Sequence, residues 1–322
     1  MSKQEKAESG AYRNLLNQIE PIEKHNRIGS KKTKKRYKSA IRSFIRFAAD
    51  RYNLQKFVNT GQKHVEAYAE EMKKYKAPST VMVDLSAIRF YYDLAGGKNY
   101  LGDNKSFELE KREPTALDHS FLPDEITEAI NTALDMKRDD AFLGIRITYR
   151  FGYRIEEACR MTYGDVLKAL ENGEIKVKGK GGQIRYVPVE TDEQKSLLND
   201  LCVYAKKKGL KPNDMLITDN VTGGVEKKKA SLENWMYNNR KKFTVANRTE
   251  IVKPGKKPRT SKISWHGLRH TYAQQTYERY IREGMSVENA LRKVSENLGH
   301  HRMSITDVYL DENVASKLKK KK

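Results

Sequence analysis

The spacing of apolar residues in the first third of the chain predicts a small group of amphipathic helices. From Ser30 onward, apolar positions recur every three to four residues, which is the period of one helical face. A second helix is predicted over 62–75, and Pro78 opens a third that ends at Gly96 and Gly97. The apolar positions of the first and third helices are Tyr37, Ile41, Phe44, Ile45, Ala48, Val81, Leu85, Ile88 and Tyr92.

These boundaries predict a helical domain over residues 29–96. Residues 1–28 are polar and weakly patterned, which predicts a polar N-terminal arm or a short extra helix. Residues 97–118 lack a helical period, are charged and contain Gly102 and Pro114. We therefore expect a linker over 97–118.

Residues 119–322 are expected to form a second, larger domain. Strand-like alternation between Ile175 and Val189 is interrupted by Gly179-Lys180-Gly181-Gly182, which is the signal of a β-hairpin. The fold class is therefore expected to be mainly α with a small β-hairpin or sheet (α+β), with a short basic tail at 317–322. The remaining patterns predict helices near residues 126–133, 143–149, 156–161, 194–208, 232–243, 266–282 and 287–298.

The 322-residue chain carries a formal net charge of +21, and both parts of it are basic. The excess is +11 over residues 1–112 and +10 over residues 113–322. A solvated lysine-rich surface would explain part of it, but an excess in both parts favours a polyanionic partner that contacts two lobes. Charge alone would also suit an RNA-binding or ribosomal protein.

The sequence gives no sign of a membrane or metal-binding protein. No apolar run approaches the roughly 18–20 residues of a spanning helix, and residues 1–4 are a polar start. The two cysteines, Cys159 and Cys202, form neither a metal-ligand cluster nor a disulfide framework. We therefore expect a cytoplasmic protein with no membrane partner.

Two arginines, a lysine, two histidines and a tyrosine stand in short segments that could cut DNA. A phenol of pKa about 10 attacks a phosphodiester only beside a base or in strongly positive surroundings. Arginine forks match the phosphate oxygens on which negative charge accumulates, and a lysine can protonate the departing oxygen. Gly-Lys-Gly-Gly lacks the spacing and the following Ser or Thr of a nucleotide-binding loop. The six residues are Arg154, Lys180, His266, Arg269, His300 and Tyr309.

In this order the segments resemble the active-site set of the tyrosine recombinases, the phage integrase family. The resemblance covers about residues 30–312. Arg154, in Phe-Gly-Tyr-Arg, matches the arginine of the family's first box, where Thr-Gly-Leu-Arg is more usual. Glu157 stands in the usual supporting place three residues later, and Lys180 matches the lysine of the family's β-hairpin.

The C-terminal segments supply the rest of the resemblance. His266 and Arg269 match the family's His-x-x-Arg box, and His300 matches its Leu-Gly-His histidine. Tyr309, nine residues later, matches the nucleophile. The stretch from His266 to His300 spans 34 residues, longer than expected in Xer-like members, and 304–310 resembles a subgroup of integrases from mobile elements.

Three neighbouring residues remain alternatives or bystanders. Lys178 replaces Lys180 if the hairpin lysine is misassigned. His270 is expected to pack or hydrogen-bond locally beside Arg269. His301 competes with His300, and the register alone favours His300.

The resemblance implies a fold and a reaction. An N-terminal helical core-binding domain and a catalytic domain would form a clamp around double-stranded DNA that carries specific recombination sites. Tyr309 would form a 3′-phosphotyrosyl link, with Arg154, Arg269 and His300 on the phosphate oxygens. Lys180 would protonate the leaving 5′-oxygen, and His266 would accept the tyrosine proton.

The resemblance also implies partners and a setting. The family works as a homo-tetramer on two DNA sites through a Holliday junction, needs no cofactor or metal, and can use accessory DNA-bending factors. The expected task is integration or excision of a mobile element, in a bacterium or archaeon, with the protein at the nucleoid when bound to DNA. Two other functions stay open: DNA relaxation by a type IB topoisomerase, and a DNA-binding regulator that has lost catalysis.

Overall fold

The computed structural model describes residues 9–107, 109, 119–219, 224–245, 250–251, 259–260 and 262–299. The chain divides into two compact units, Met1–Glu113 and Pro114–Lys322. Both are mainly helical over the described residues, and the larger carries a two-stranded antiparallel hairpin, so the predicted fold class is confirmed. None of the helices that the structure describes is long and apolar enough to cross a lipid bilayer.

The first unit is built around its second and fourth helices, whose apolar faces pack against each other. The second helix begins after Ser30, whose hydroxyl accepts the backbone N–H of Thr33 and so satisfies a free donor of the first turn. Phe44 lies fully buried in the core, edge-on to Phe57 and Tyr68. The helices of this unit are α1 (Gly10–His25), α2 (Lys31–Tyr52), α3 (Gln62–Lys73) and α4 (Pro78–Leu94), with a 3₁₀ turn at Phe57–Asn59.

Of the two alternatives for residues 1–28, a polar arm or a short extra helix, the structure has the helix where it describes this segment, because Gly10–His25 form α1. Its apolar residues follow the helical period and are buried against α2: Ala11, Tyr12, Leu15 and Ile19. Arg42 of α2 donates to Glu23 of α1 over 3.1 Å. The many polar residues on the outer face of α1 make this apolar stripe a weak signal in the sequence.

The predicted linker also differs from the structure in its first part. Leu101 and Phe107 are buried in the core of the first unit, and Arg89 of α4 donates to the carbonyl of Gly102 over 3.1 Å. Residues 97–107 therefore belong to the first unit, because two apolar side chains in an otherwise polar stretch suffice to anchor it. Residues 110–118 lie outside the described residues.

The second unit packs its helices around a core that contains both tryptophans. Trp265 donates its indole N–H to the carbonyl of Leu232 over 2.8 Å, and Trp235 lies in the same core. Its helices are α5 (Pro123–Asp135), α6 (Asp139–Phe151), α7 (Ile155–Arg160), α8 (Tyr163–Asn172), α9 (Asp192–Lys207), α10 (Gly224–Phe243), α11 (Trp265–Arg282) and α12 (Val287–Leu298). Its strands are β1 (Glu174–Lys178), β2 (Ile184–Pro188), β3 (Glu250–Ile251) and β4 (Arg259–Thr260).

The predicted hairpin is formed by β1 and β2, which pair antiparallel with Val177 opposite Arg185. Alternate residues point inward, as the two-residue period of a strand requires. The inner face packs on α8 and α12. Ile184 and Tyr186 lie on the outer face and are about half exposed.

The end of α6 places the turn that precedes α7. Gly152 caps α6 with φ +62°, in the left-handed region that favours glycine. There is also no room for a side chain, because a Cβ on residue 152 would lie 2.4 Å from Cδ1 of Tyr272 on α11. Glycine is therefore required here both for backbone conformation and for packing.

We predict that Gly152→Ala lowers the free energy of unfolding of this unit by about 3 kcal/mol, combining left-handed strain with overpacking. Urea unfolding followed by tryptophan fluorescence measures the effect, because Trp235 and Trp265, the chain's two tryptophans, both lie in this unit.

Gly173→Ala is the matched control. Gly173 also caps a helix with a left-handed φ of +70°, but nothing lies within 4 Å of an added Cβ. Only the strain should remain, a loss of about 1 kcal/mol. Equal losses for the two variants would contradict the packing argument.

Candidate active site

The buried carboxylate of Glu157 connects two predicted site residues of the second unit, Arg154 and Arg269, through hydrogen bonds and ion pairs. Glu157 is 5% exposed and lies in the first turn of α7, three residues after Arg154. Its Oε1 accepts from Nη1 of Arg154 at 2.8 Å and Nη1 of Arg185 at 2.9 Å. Its Oε2 accepts from the backbone N–H of Arg154 at 2.8 Å and Nη2 of Arg185 at 2.7 Å.

The charge of Glu157 is held by its cationic neighbours. Burial by itself would raise the pKa of this carboxyl, but the hydrogen bonds and charge of Arg185 lower it. The backbone N–H of Arg154 and the charge of Arg269, whose Nη1 lies 3.9 Å from Oε2, act in the same direction. The resulting pKa is about 2, so Glu157 is ionised at any physiological pH.

The backbone of Arg154 is fixed by a hydrogen bond, whereas its guanidinium group is partly exposed. It is the N-cap residue of α7, with extended backbone angles, and Glu157 accepts its backbone N–H in the manner of a capping box. Its side chain is 36% exposed, and only Nη1 is bound to Glu157. The remaining guanidinium N–H groups have no hydrogen-bond partner among the residues that the structure describes, so this arginine is available to an anion.

Arg269 is fully buried on α11 and connects two helix ends. Its Nη1 donates to the carbonyl of Gly152 at the end of α6, and its Nη2 donates to the carbonyl of Leu298 at the end of α12. Both carbonyls are helix-terminal groups that lack a partner within their own helix. Arg269 therefore sets the distance between the turn that carries Arg154 and the C-terminal end of α12.

His266 lies in the first turn of α11, three residues before Arg269, so the two residues share one face of the helix. Partial burial and the positive charges of Arg269 and Arg154 lower the pKa of its imidazole to about 4. The residue nevertheless keeps an exposed surface. His266 is therefore a neutral, accessible imidazole at physiological pH.

His270 packs locally, as predicted. It is 5% exposed, and its ring lies edge-on to His266 at 5.0 Å and to His119 at 5.8 Å between ring centroids. A buried ring between two other imidazoles supports His266 from behind rather than meeting a substrate.

The predicted lysine lies in the turn of the hairpin. Lys180–Gly182 form a short 3₁₀ turn between β1 and β2; the side chain of Lys180 is outside the described part of the structure. The preceding residue, Gly179, lies against the carboxylate, because a Cβ there would stand 3.3 Å from Oε1 of Glu157. The turn is therefore anchored beside Glu157. Lys178, the alternative, is exposed on the outer face of β1.

Arg185 and Asn297 belong to the site but lie outside the sequence motifs. Arg185 is 8% exposed and, besides its two bonds to Glu157, donates Nε to the carbonyl of Asn297 at 2.8 Å. The Asn297 amide in turn donates to the hydroxyls of Tyr272 at 3.2 Å and Tyr280 at 3.3 Å. The strand alternation carried a signal for Arg185, because it shares the inward face with Val187, and a charged residue on that face requires a buried partner.

His300 and Tyr309, together with the alternative His301, lie outside the described residues, and their places in the site stay predictions. Gly299, the last described residue, caps α12 with φ +65°. It directly follows Asn297 and Leu298, whose carbonyls accept from Arg185 and Arg269.

Comparisons with known proteins agree over most of the chain. The phage integrase family matches residues 120–316, and the N-terminal SAM-like domain of phage integrases matches residues 20–100. The tyrosine recombinase XerC of Thermodesulfovibrio yellowstonii is 28% identical over 310 residues, which is 92% of this chain and 89% of the relative. XerC of Bacillus pumilus is 26% identical over 285 residues, which is 85% and 83% of the two chains.

The fold is similar to that of solved recombinases as well. A lambda integrase from a tetramer bound to a Holliday junction matches with a TM-score of 0.64 at 16% identity, over 96% of this chain and 82% of that one. The comparisons favour neither a topoisomerase nor a silent regulator. Since the family match spans more than half of the chain, this protein belongs to the phage integrase family and is a tyrosine recombinase, an enzyme of site-specific DNA breakage and rejoining.

Proposed function

We propose that this recombinase cuts DNA with Tyr309, by way of a 3′-phosphotyrosyl intermediate. The phenolic oxygen of Tyr309 forms a bond to phosphorus as the bond from phosphorus to the 5′-oxygen breaks, leaving a 5′-hydroxyl. Arg154, Arg269 and His300 hold the phosphate oxygens. The observation that carries this proposal is the Glu157 carboxylate, which joins Arg154 and Arg269 although 114 residues separate them between the two boxes.

The charges of this arrangement suit phosphoryl transfer. The non-bridging oxygens gain negative charge in the transition state, and fixed guanidinium groups stabilise that charge without reorganisation. Arg154 has an accessible fork, whereas Arg269 is held rigidly at the base of the site. Both guanidinium groups contribute positive charge to the site, and Arg269 is in place before DNA arrives.

The protons also balance with the residues proposed. The neutral imidazole of His266 takes the phenol proton of Tyr309. Lys180, on the turn beside Glu157, gives a proton to the departing 5′-oxygen. In the return step the 5′-hydroxyl of the partner strand attacks the phosphotyrosine, and both protons travel back. The phosphotyrosine conserves the energy of the bond, so the cycle needs neither ATP nor a metal.

We further propose a homo-tetramer that brings two specific double-stranded DNA sites together, with accessory DNA-bending factors where the site requires them. A lambda integrase tetramer on a Holliday junction and the Tn1549 transposon integrase with transposon-end DNA are among the structural neighbours. With the long stretch between His266 and His300, they support integration or excision of a mobile element. The enzyme would act at the nucleoid of a bacterium or archaeon.

We predict that Tyr309→Phe abolishes covalent attachment to DNA and changes DNA affinity by less than about threefold, because only the nucleophilic oxygen is removed. Randomly nicked DNA that spans the gene and its flanks is incubated with protein without metal and then denatured in detergent. Sequencing the protein-bound ends identifies the site. Attachment at 3′ ends that cluster on a short inverted repeat is the expected result.

Tyr237→Phe is the matched control, because Tyr237 is 65% exposed in the same unit and lies on α10; it should attach like wild type. Continued attachment by Tyr309→Phe would overturn the nucleophile assignment. Attachment scattered over many sequences would instead support a topoisomerase, and salt-sensitive binding without attachment would support a regulator.

We predict that the imidazole of His266 titrates at unusually low pH. Because its pKa is lowered to about 4, the imidazole should stay neutral above about pH 5 and titrate well below the ordinary value near 6.5. NMR of protein labelled at histidine Cε1 follows the titration, and the signal missing from His266→Asn identifies the residue. A midpoint at or above 6.5 would exclude the neutral proton acceptor proposed here.

A further inference from the structure

Arg185 is a buried cation that none of the family motifs explains. It lies on β2, is 8% exposed and has three hydrogen bonds shorter than 3 Å. Two of them form a bidentate pair with Glu157, and the third reaches the carbonyl of Asn297. A buried guanidinium is stable only with such compensation, so Arg185, Glu157 and the end of α12 form one unit.

We propose that Arg185 is a positioning residue for DNA cleavage: it connects the carboxylate that holds Arg154 to the helix end that holds Arg269. This inference rests on the proposed function, in which both arginines bind the scissile phosphate. Arg185 itself does not need to touch the DNA. Its role is to fix the position of the groups that do.

Arg185 contacts the C-terminal end of α12. Asn297 and Leu298 expose carbonyls at the C-terminal end of α12, where the helix dipole is negative. Arg185 takes the first carbonyl and Arg269 takes the second. The next residue, Gly299, lies so close that a Cβ on it would stand 2.9 Å from Cδ of Arg185. Arg185 therefore fixes the position of the end of α12, including Gly299.

Arg185 also compensates the negative charge of Glu157. Glu157 has two carboxylate oxygens, and each accepts one hydrogen bond from Arg185. Without Arg185, the carboxylate has only Arg154 and the more distant Arg269, 3.9 Å away, to compensate its charge. The carboxylate would then bind these two arginines more strongly and draw them away from a phosphate. Arg185 thus keeps Glu157 saturated so that Arg154 stays available.

The test compares Arg185→Lys and Arg185→Met with wild-type protein on a nicked duplex carrying the site captured by the attachment experiment. The single-turnover rate of covalent attachment is measured at saturating protein, and DNA affinity is measured separately. Lysine keeps the charge but cannot form the bidentate pair. We expect the rate to fall roughly 10- to 100-fold for Arg185→Lys and further for Arg185→Met, with affinity changed less than about threefold.

Arg138→Lys is the matched control. Arg138 also forms a two-point pair, with Asp140, at 2.8 and 3.0 Å, in the same unit but without a contact to Glu157. It should attach within about twofold of wild type. Thermal unfolding of each variant is measured alongside, and Arg185→Lys carries the test if Arg185→Met fails to fold.

A second substrate separates positioning from a purely structural role. A methylphosphonate at the scissile position removes the charged non-bridging oxygen, so cleavage no longer depends on arginines that neutralise it. The rate loss of Arg185→Lys should shrink to less than about threefold on this substrate. The same loss on both substrates would overturn the proposal, as would a wild-type rate on the ordinary phosphate.

Arg154→Ala is the reference that distinguishes a failure of the proposed function from a failure of the role proposed for Arg185. If wild-type protein forms no tyrosine-dependent complex, the proposed function fails and the role of Arg185 fails with it. If wild type attaches, Arg154→Ala loses attachment and Arg185→Lys does not, only the role of Arg185 is overturned.

Discussion

The site depends on keeping one carboxylate charged inside the protein. Removing Glu157 from water costs several kcal/mol unless cations and N–H donors replace the lost hydration. Here Arg154 and Arg185 supply four hydrogen bonds, and Arg269 adds a third positive charge. The same contacts also solve the opposite problem, because arginines in a protein interior need an anion. Charge balance therefore brings the end of α6, the hairpin and α11 to one point.

The second constraint is the free carbonyls at the ends of helices. A helix leaves its last carbonyls without partners, and burying them requires outside donors. The two buried arginines meet this need, Arg269 at the ends of α6 and α12 and Arg185 at the end of α12. A guanidinium suits the task because its planar fork offers several donors in fixed directions. The position of α12 is thereby coupled to the charge of Glu157, although the helix itself contributes no charged group to these contacts.

The sequence predicts the elements of this site better than the connections between them. Helical periods and hairpin alternation locate most elements, and the motifs identify Arg154, His266 and Arg269, which the structure brings together. The helix α1 is only one of two alternatives for residues 1–28, because its apolar stripe is narrow among polar residues. The burial of Leu101 and Phe107 is not predicted, because a period needs more than two positions. Arg185 escapes because patterns count a charged residue as exposed unless its partner is known. That partner, 28 residues away in sequence, is visible only in the fold.

Two kinds of positive charge serve different purposes in this enzyme. The net charge of +21 comes mostly from a large number of lysines and arginines in both units, and such charge raises affinity for any duplex DNA. The charges that orient the site are few. Arg185 and Arg269 are buried, Arg154 is partly exposed, and Glu157 offsets part of their positive charge. Salt screens the attraction between exposed charges and DNA at separations beyond the Debye length. The buried arginines are screened much less, because protein surrounds them. Binding should therefore depend strongly on ionic strength, while the geometry that selects the phosphate for cleavage should not, because it is set by contacts that solvent does not reach.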